Sequence, residues 1–134
     1  MSEQLTGGCL CRAVRYRLGP LLYPATFCHC ESCRRAAGAH VVAWLTVAAT
    51  DVEYTAGEAR EYESSTGVWR GFCQHCGTPL TYRCLARSAE VDVTVGSLDA
   101  PSGVLPADHI WTADAPAWDR PSDGLPVHAG RRPP

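Results

Sequence analysis

Apolar and polar positions alternate over residues 13–18, 41–47, 79–84 and 91–98, a period of two that predicts half-buried β-strands. In the last of these Val91, Val93 and Val95 fall on one face, and in the third Leu80, Tyr82 and Cys84 do. Residues 32–37 alone read as a helical turn, with Gly38 placed to end it. Glycine and proline punctuate the chain at Gly7-Gly8, Gly19-Pro20, Gly57, Gly67, Gly77 and Asp99-Ala100-Pro101, which predicts short antiparallel strands joined by turns. The expected fold class is therefore mainly β: a small antiparallel β-sheet domain, stapled by metal, with short helical turns. Its expected span is 1–120, followed by a Pro-rich C-terminal tail, 121–134, frayed or draped over the surface.

At 134 residues the core is modest, and a metal that ties distant loops together would add stability. No apolar run approaches the ~20 residues that span a bilayer, so no membrane partner is expected. The start, Met-Ser-Glu-Gln, lacks the basic and apolar regions of a secretory signal, which predicts a mature protein that begins here and stays cytoplasmic. A net charge of -2 without a basic tract speaks against nucleic acid. All 12 basic residues are arginine, which excludes lysine Schiff-base chemistry.

Eight cysteines in a reducing compartment point to metal ligation or catalysis before disulfides. Cys9 and Cys11 form a C-x-C pair after two glycines, and Cys73 and Cys76 a C-x-x-C pair followed by Gly77, the spacing of a zinc knuckle. Between them Cys28, Cys30 and Cys33 offer three sulfurs to one ion. Structural zinc takes four protein ligands and catalytic zinc keeps three, so seven cysteines divide as four plus three. Spacing also permits the Cys28 to Cys33 run to share the C-x-x-C pair, and thiolates can hold iron–sulfur clusters. Cys84 is expected in the core. His29 and His75 read as solvated loop histidines and Trp111 as core; Trp44 is a candidate pocket wall, and His40, His109 and His128 have no assignment.

Gly7-Gly8-Cys9-Leu10-Cys11 with Val14-Arg15-Tyr16, Cys28-His29-Cys30-Glu31-Ser32-Cys33-Arg34-Arg35, and Phe72 through Leu80 resemble the glutathione-dependent formaldehyde-activating enzyme family, which also includes centromere protein V. The likeness continues through Val95-Gly96-Ser97-Leu98-Asp99 and His109-Ile110-Trp111 and ends near Leu125-Pro126. It implies a zinc-stapled β fold in which Cys9, Cys11, Cys73 and Cys76 make the structural site and Cys28, Cys30 and Cys33 an open, catalytic one. The implied activity is carbon–sulfur lyase chemistry, the joining of glutathione and formaldehyde as S-hydroxymethylglutathione, with a small-molecule thiol or thiol adduct as partner. Three thiolates on Zn2+ leave a charge of -1, and Arg34, Arg35 and Arg70 are the candidates to balance it; Arg34 or Arg70 could instead hold a substrate carboxylate. Two departures stand out: Arg12 follows the first C-x-C where a glycine is common, and the chain is shorter than formaldehyde-activating members, with fewer loops to embrace a tripeptide. A non-catalytic zinc-stapled binding module and a thiol-based redox or metal-responsive protein are the other function classes these residues allow.

Overall fold

The structure is a computed structural model that describes residues 4–134, so the first three residues of the expected 1–120 span lie outside it. Among the described residues ten strands form two sheets, accompanied by one α-helix. The smaller sheet pairs β1 (Leu5–Gly8), β2 (Arg15–Leu18) and β5 (Val52–Ala56) in antiparallel fashion. The larger contains β3 (Thr26–Cys28), β4 (Val42–Ala48), β6 (Arg60–Ser65), β7 (Val68–Phe72), β8 (Pro79–Cys84), β9 (Glu90–Thr94) and β10 (Asp108–Ile110). Its order is β10-β3-β4-β9-β8-β7-β6, antiparallel except for the parallel pair β10 and β3. The helix α1 (Glu31–Ala37) leaves β3 at the second cysteine group, and Gly38 caps it with a left-handed φ of 65°.

Strand alternation sorts the side chains as the period-two pattern requires. Tyr16 and Leu18 from the small sheet meet Leu45, Val47, Leu80 and Val93 from the large one in a common core. On β4 the intervening positions Val42 and Trp44 turn to the other face and pack with Cys28 and Cys33 in a second, smaller cluster. The core thus separates the sheets, and the outer face of the large sheet carries the second cysteine group.

Four local expectations are corrected by the structure. Gly7 and Gly8 are not a turn but the end of β1, where a Cβ on Gly7 would come within 2.5 Å of the Tyr16 hydroxyl and 2.4 Å of the Ser97 carbonyl oxygen. Close approach of the Tyr16 side chain from the paired strand and of the Ser97 turn, not turning, demands glycine there. The 91–98 strand stops at Thr94 because Ser97 bends the chain into a 3-10 turn, its Oγ donating to the Thr94 carbonyl at 2.9 Å and accepting from Thr94 Oγ1 at 2.8 Å. Val95 stays buried regardless. Leu80 and Tyr82 do not share surroundings, since the β7–β8 register shifts between Gly71 and Phe72 and leaves Leu80 in the inter-sheet core while Tyr82 joins the second cluster. Cys84 is half-buried and belongs to neither cluster, contrary to its expected core placement.

The 121–134 segment is tied down along β10. His109 donates its backbone N–H to Pro126 and accepts from His128, and Trp111 donates to Gly130. Arg132 then forks onto buried Asp108 at 2.6 and 2.8 Å and reaches the Pro24 carbonyl at 3.0 Å. Draping, with a bidentate anchor near its end, describes this segment.

Candidate metal centres and adjoining cavity

Two turns bring the first cysteine group together. After β1 the chain folds back so that Cys9 N–H donates to Val14 O at 3.1 Å and Val14 N–H donates to Cys9 Sγ at 3.2 Å. Arg12 completes this turn with φ 68°, which explains why a glycine is common at that position. The β7–β8 turn repeats the device: Gly77 N–H donates to Cys73 O at 2.8 Å and His75 N–H to Cys73 Sγ at 3.4 Å, with Gly77 at φ 81°. Leu10 N–H donates to Thr78 Oγ1 at 3.0 Å and latches the two turns.

The sulfurs of Cys9, Cys11, Cys73 and Cys76 all lie within 4.8 Å of one another and could hold a metal ion. Cys9 to Cys11 measures 3.6 Å and Cys11 to Cys73 3.8 Å. A tetrahedron with Zn–S bonds of 2.3 Å has edges of about 3.8 Å, so the sulfur spacing fits zinc. The surroundings favour thiolate at Cys76 and Cys9, whereas at Cys11 the Ala13 backbone hydrogen bond is outweighed by desolvation and the neighbouring thiols, which push it up to about 11. Hydrogen bonds from the Thr78 hydroxyl and backbone draw the Cys76 thiol down to about 5. Burial pushes Cys9 up, but the Val14 N–H and neighbouring thiols outweigh it and leave Cys9 lowered.

The second group is built by β3 and the start of α1. Cys28 ends the strand, Cys30 is the helix N-cap and accepts the Cys33 N–H on its sulfur at 3.2 Å, and Cys33 is buried in the first turn. Their three sulfurs also lie within 4.8 Å of one another. Hydrogen bonds from the thiols of Cys28 and Cys33 hold Cys30 down to about 2, and Cys28 is pushed up in return. The Arg70 guanidinium nearby also favours a thiolate at Cys30.

Of the three candidate arginines, the structure brings Arg70 to this group. It stands on β7 opposite Tyr82, is 8% exposed, and directs both terminal nitrogens at Cys33 Sγ, each at 3.7 Å. Its guanidinium carbon lies 5.0 Å from the Tyr82 ring centroid, a cation–π contact. Arg35 instead pairs with Glu31 at 3.0 Å on the helix surface, a contact of little energetic weight. Arg34 is half-buried on α1, and its Nε is buried without a hydrogen-bond partner.

Beside this group lies a cavity of about 310 Å³. Cys33 and Arg70 form part of its lining, as do Trp44, Ala36 and Ala37 of α1, and Gly77 and Pro79 from the first group's knuckle. Trp44 is thus both packed and a cavity wall. Trp111 is 39% exposed and is not core.

His29 overturns its reading as a solvated loop residue. It is 1% exposed and stands in a chain of four side chains: Asp119 Oδ2 to His29 Nδ1 at 2.6 Å, His29 Nε2 to His109 Nδ1 at 2.8 Å, and His109 Nε2 to Asp123 Oδ2 at 2.8 Å. Both ring nitrogens of His29 are engaged away from the sulfurs, so its role is to orient the segment that presents Cys28 and Cys30. Asp119 and Asp123 carried no sequence signal, because they lie 90 residues from His29 and 14 from His109 respectively. His75 is exposed, as expected, and His40 is exposed beside Trp118.

Comparison with known proteins agrees with this architecture. A crystal structure of a Rhodobacter sphaeroides protein is similar to the chain, with 27% sequence identity, a TM-score of 0.61, and coverage of 75% of this chain and 91% of that one. No curated protein matches by sequence. The family model described as glutathione-dependent formaldehyde-activating enzyme matches residues 4–114. A match over that much of the chain, on a fold that gathers seven of its cysteines into a group of four and a group of three, places this protein in the glutathione-dependent formaldehyde-activating enzyme family.

Proposed function

We propose that the chain is a zinc-dependent carbon–sulfur lyase acting on a small thiol–aldehyde adduct. Glutathione and formaldehyde are the pair the family description names. The observation that carries this reading is the asymmetry of the two groups: the four sulfurs sit between turns, whereas Cys33 of the three lines a cavity together with a buried cation.

In this reading Cys9, Cys11, Cys73 and Cys76 hold a structural ion and Cys28, Cys30 and Cys33 a catalytic one. A zinc ion with three protein ligands supplies thiol acidification and carbonyl polarisation when bound. The chain's own residues do the rest. Cys30, at the N-cap of α1, and Cys33 behind it fix the donor set, and the His29–His109 pair keeps the loop from rotating. Arg70 directs both terminal N–H groups at Cys33 Sγ and balances the negative charge of the three-thiolate set. Ala36, Val42 and Trp44 keep water from one side of the reacting pair. The reaction forms one S–C bond and moves the thiol proton to the aldehyde oxygen; its reverse is the lyase direction. Eight unpaired thiols suit a reducing cytosol, where we place the protein.

The test is NMR exchange spectroscopy of formaldehyde, thiol and adduct with zinc-loaded protein. Acceleration over the uncatalysed exchange supports the reading. An unchanged rate with every thiol tried refutes it.

A further inference from the structure

The cavity beside Cys33 has walls from Ala36, Val42, Trp44, Tyr62 and Phe72, and Arg70 is the one charged side chain among the described residues that line it. That single cation is already engaged. Its two terminal nitrogens face Cys33 Sγ, and three thiolates around a divalent ion leave one net negative charge for it to balance. A ligand carboxylate drawn into the cavity would meet no second cation, and a desolvated charge without a partner is strongly disfavoured.

The lining chemistry points the same way. Glutathione carries two carboxylates and an ammonium, and the walls offer these groups no free counterpart. A benzyl or alkyl thiol suits this lining, and Trp44 and Phe72 offer aromatic surface to its body.

We propose that this cavity selects sulfur compounds with a neutral, apolar body, alkyl or aryl thiols and their hemithioacetals, over carboxylated thiols, glutathione included. The chemistry assigned to such compounds rests on the lyase reading above; their selective binding does not. In that chemistry the thiol sulfur bonds to the aldehyde carbon and the thiol proton passes to the oxygen, so no oxidant or reductant is consumed.

Two thioethers that cannot add to aldehydes serve as probes, benzyl methyl sulfide and S-methylglutathione. Each is titrated calorimetrically into zinc-loaded protein, with amide shifts followed by NMR at Ala36, Ala37 and Val42. Benzyl methyl sulfide is expected to bind at least tenfold more tightly and to shift those amides. Equal affinity, tighter binding of S-methylglutathione, or binding by neither overturns the proposal. The variant Ala37→Arg puts a cation on the cavity wall in the last turn of α1, where Arg suits a helix end. It should tighten S-methylglutathione at least threefold relative to benzyl methyl sulfide; no such relative gain counts against the charge argument. Exchange of formaldehyde with benzyl mercaptan and with glutathione separates the two claims. If neither exchanges while the thioether preference holds, the lyase reading fails and this one stands. If glutathione alone exchanges and the preference is reversed, this one fails and the lyase reading stands.

Discussion

Replacing Arg70 with Met removes the guanidinium while keeping a long apolar stem, and its effect can be estimated from the geometry. The two N–H groups lie 3.7 Å from Cys33 Sγ and the side chain is 8% exposed. For unit charges near 4 Å at an effective dielectric of about 20, the attraction is about 4 kcal/mol. Part of this offsets the cost of burying the cation in the parent, so a loss of about 2–3 kcal/mol is the reasonable share. At 1.4 kcal/mol per decade, zinc affinity of the three-cysteine site should fall on the order of 10²-fold. Chelator competition with a chromophoric probe resolves the two sites, and the four-cysteine site serves as the internal reference. Arg70→Lys keeps the charge but loses the planar fork, so it should fall between parent and Met variant. Affinity within threefold of the parent for both variants would show that Arg70 does not balance the thiolate charge.

Cys73→Ser should unfold or aggregate the protein, since structural metal binding is coupled to folding, whereas Cys30→Ser should remain folded with metal content falling toward one ion per chain; identical melting curves and metal counts for the pair would refute the four-plus-three division. Hydrogen bonds from Arg132 hold the Asp108 carboxyl below its ordinary 3.8, so its stabilisation is complete above that value and is lost as pH falls through the lower folded value. Amide exchange at Trp111 and His128 should therefore stay slow at neutral pH and quicken, relative to the intrinsic rate, only in acid, and Arg132→Met should show the loosened tail already at pH 7; protection independent of both would remove the anchor from the account. Arg12 holds a left-handed φ of 68°, which disfavours a residue with a Cβ by about 1 kcal/mol, and Arg12→Gly should raise the melting temperature by about 1–2 °C after the extra unfolded-state entropy is subtracted; a lower melting temperature would mean that the side chain has a stabilising contact outweighing the strain.

What the sequence made legible was what short-range physics controls. The strands 79–84 and 41–47 alternate, and β8 and β4 form there; the helical turn with Gly38 at its end forms as α1. The cysteine groups were legible because a metal knuckle needs fixed spacing and a turn. Hidden were the strands whose patterns are set by distant neighbours. β6, Arg-Glu-Tyr-Glu-Ser-Ser, is exposed along its whole length and has no apolar face to announce it. β1 reads as a turn because Gly7 is there for the closeness of Ser97 and the Tyr16 hydroxyl and Gly8 for that of the Val14 carbonyl, contacts that the local pattern does not show. His29 looked like a solvated loop residue because its partners lie 80 and 90 residues on.

The two cysteine groups are joined mechanically, which gives the four-cysteine group a second consequence beyond stability. β7 carries Arg70 and ends at Phe72, one residue before Cys73, and β8 begins at Pro79 just after the knuckle. Arg70, Gly71 and Phe72 on one arm and Gly77 and Pro79 on the other all line the cavity beside Cys33. The turn that gathers Cys73 and Cys76 therefore also fixes the angle of the cavity's far wall and the reach of its cation. Across the cavity, α1 is held by Cys30 and Cys33, while the His29–His109 pair and Asp119 fix the segment before it. Each wall is thus anchored by its own sulfur group, and the sheet between them, through β4, β9 and β8, sets their separation. Loosening the four-cysteine knuckle should weaken ligand binding in the cavity before the sheet itself melts.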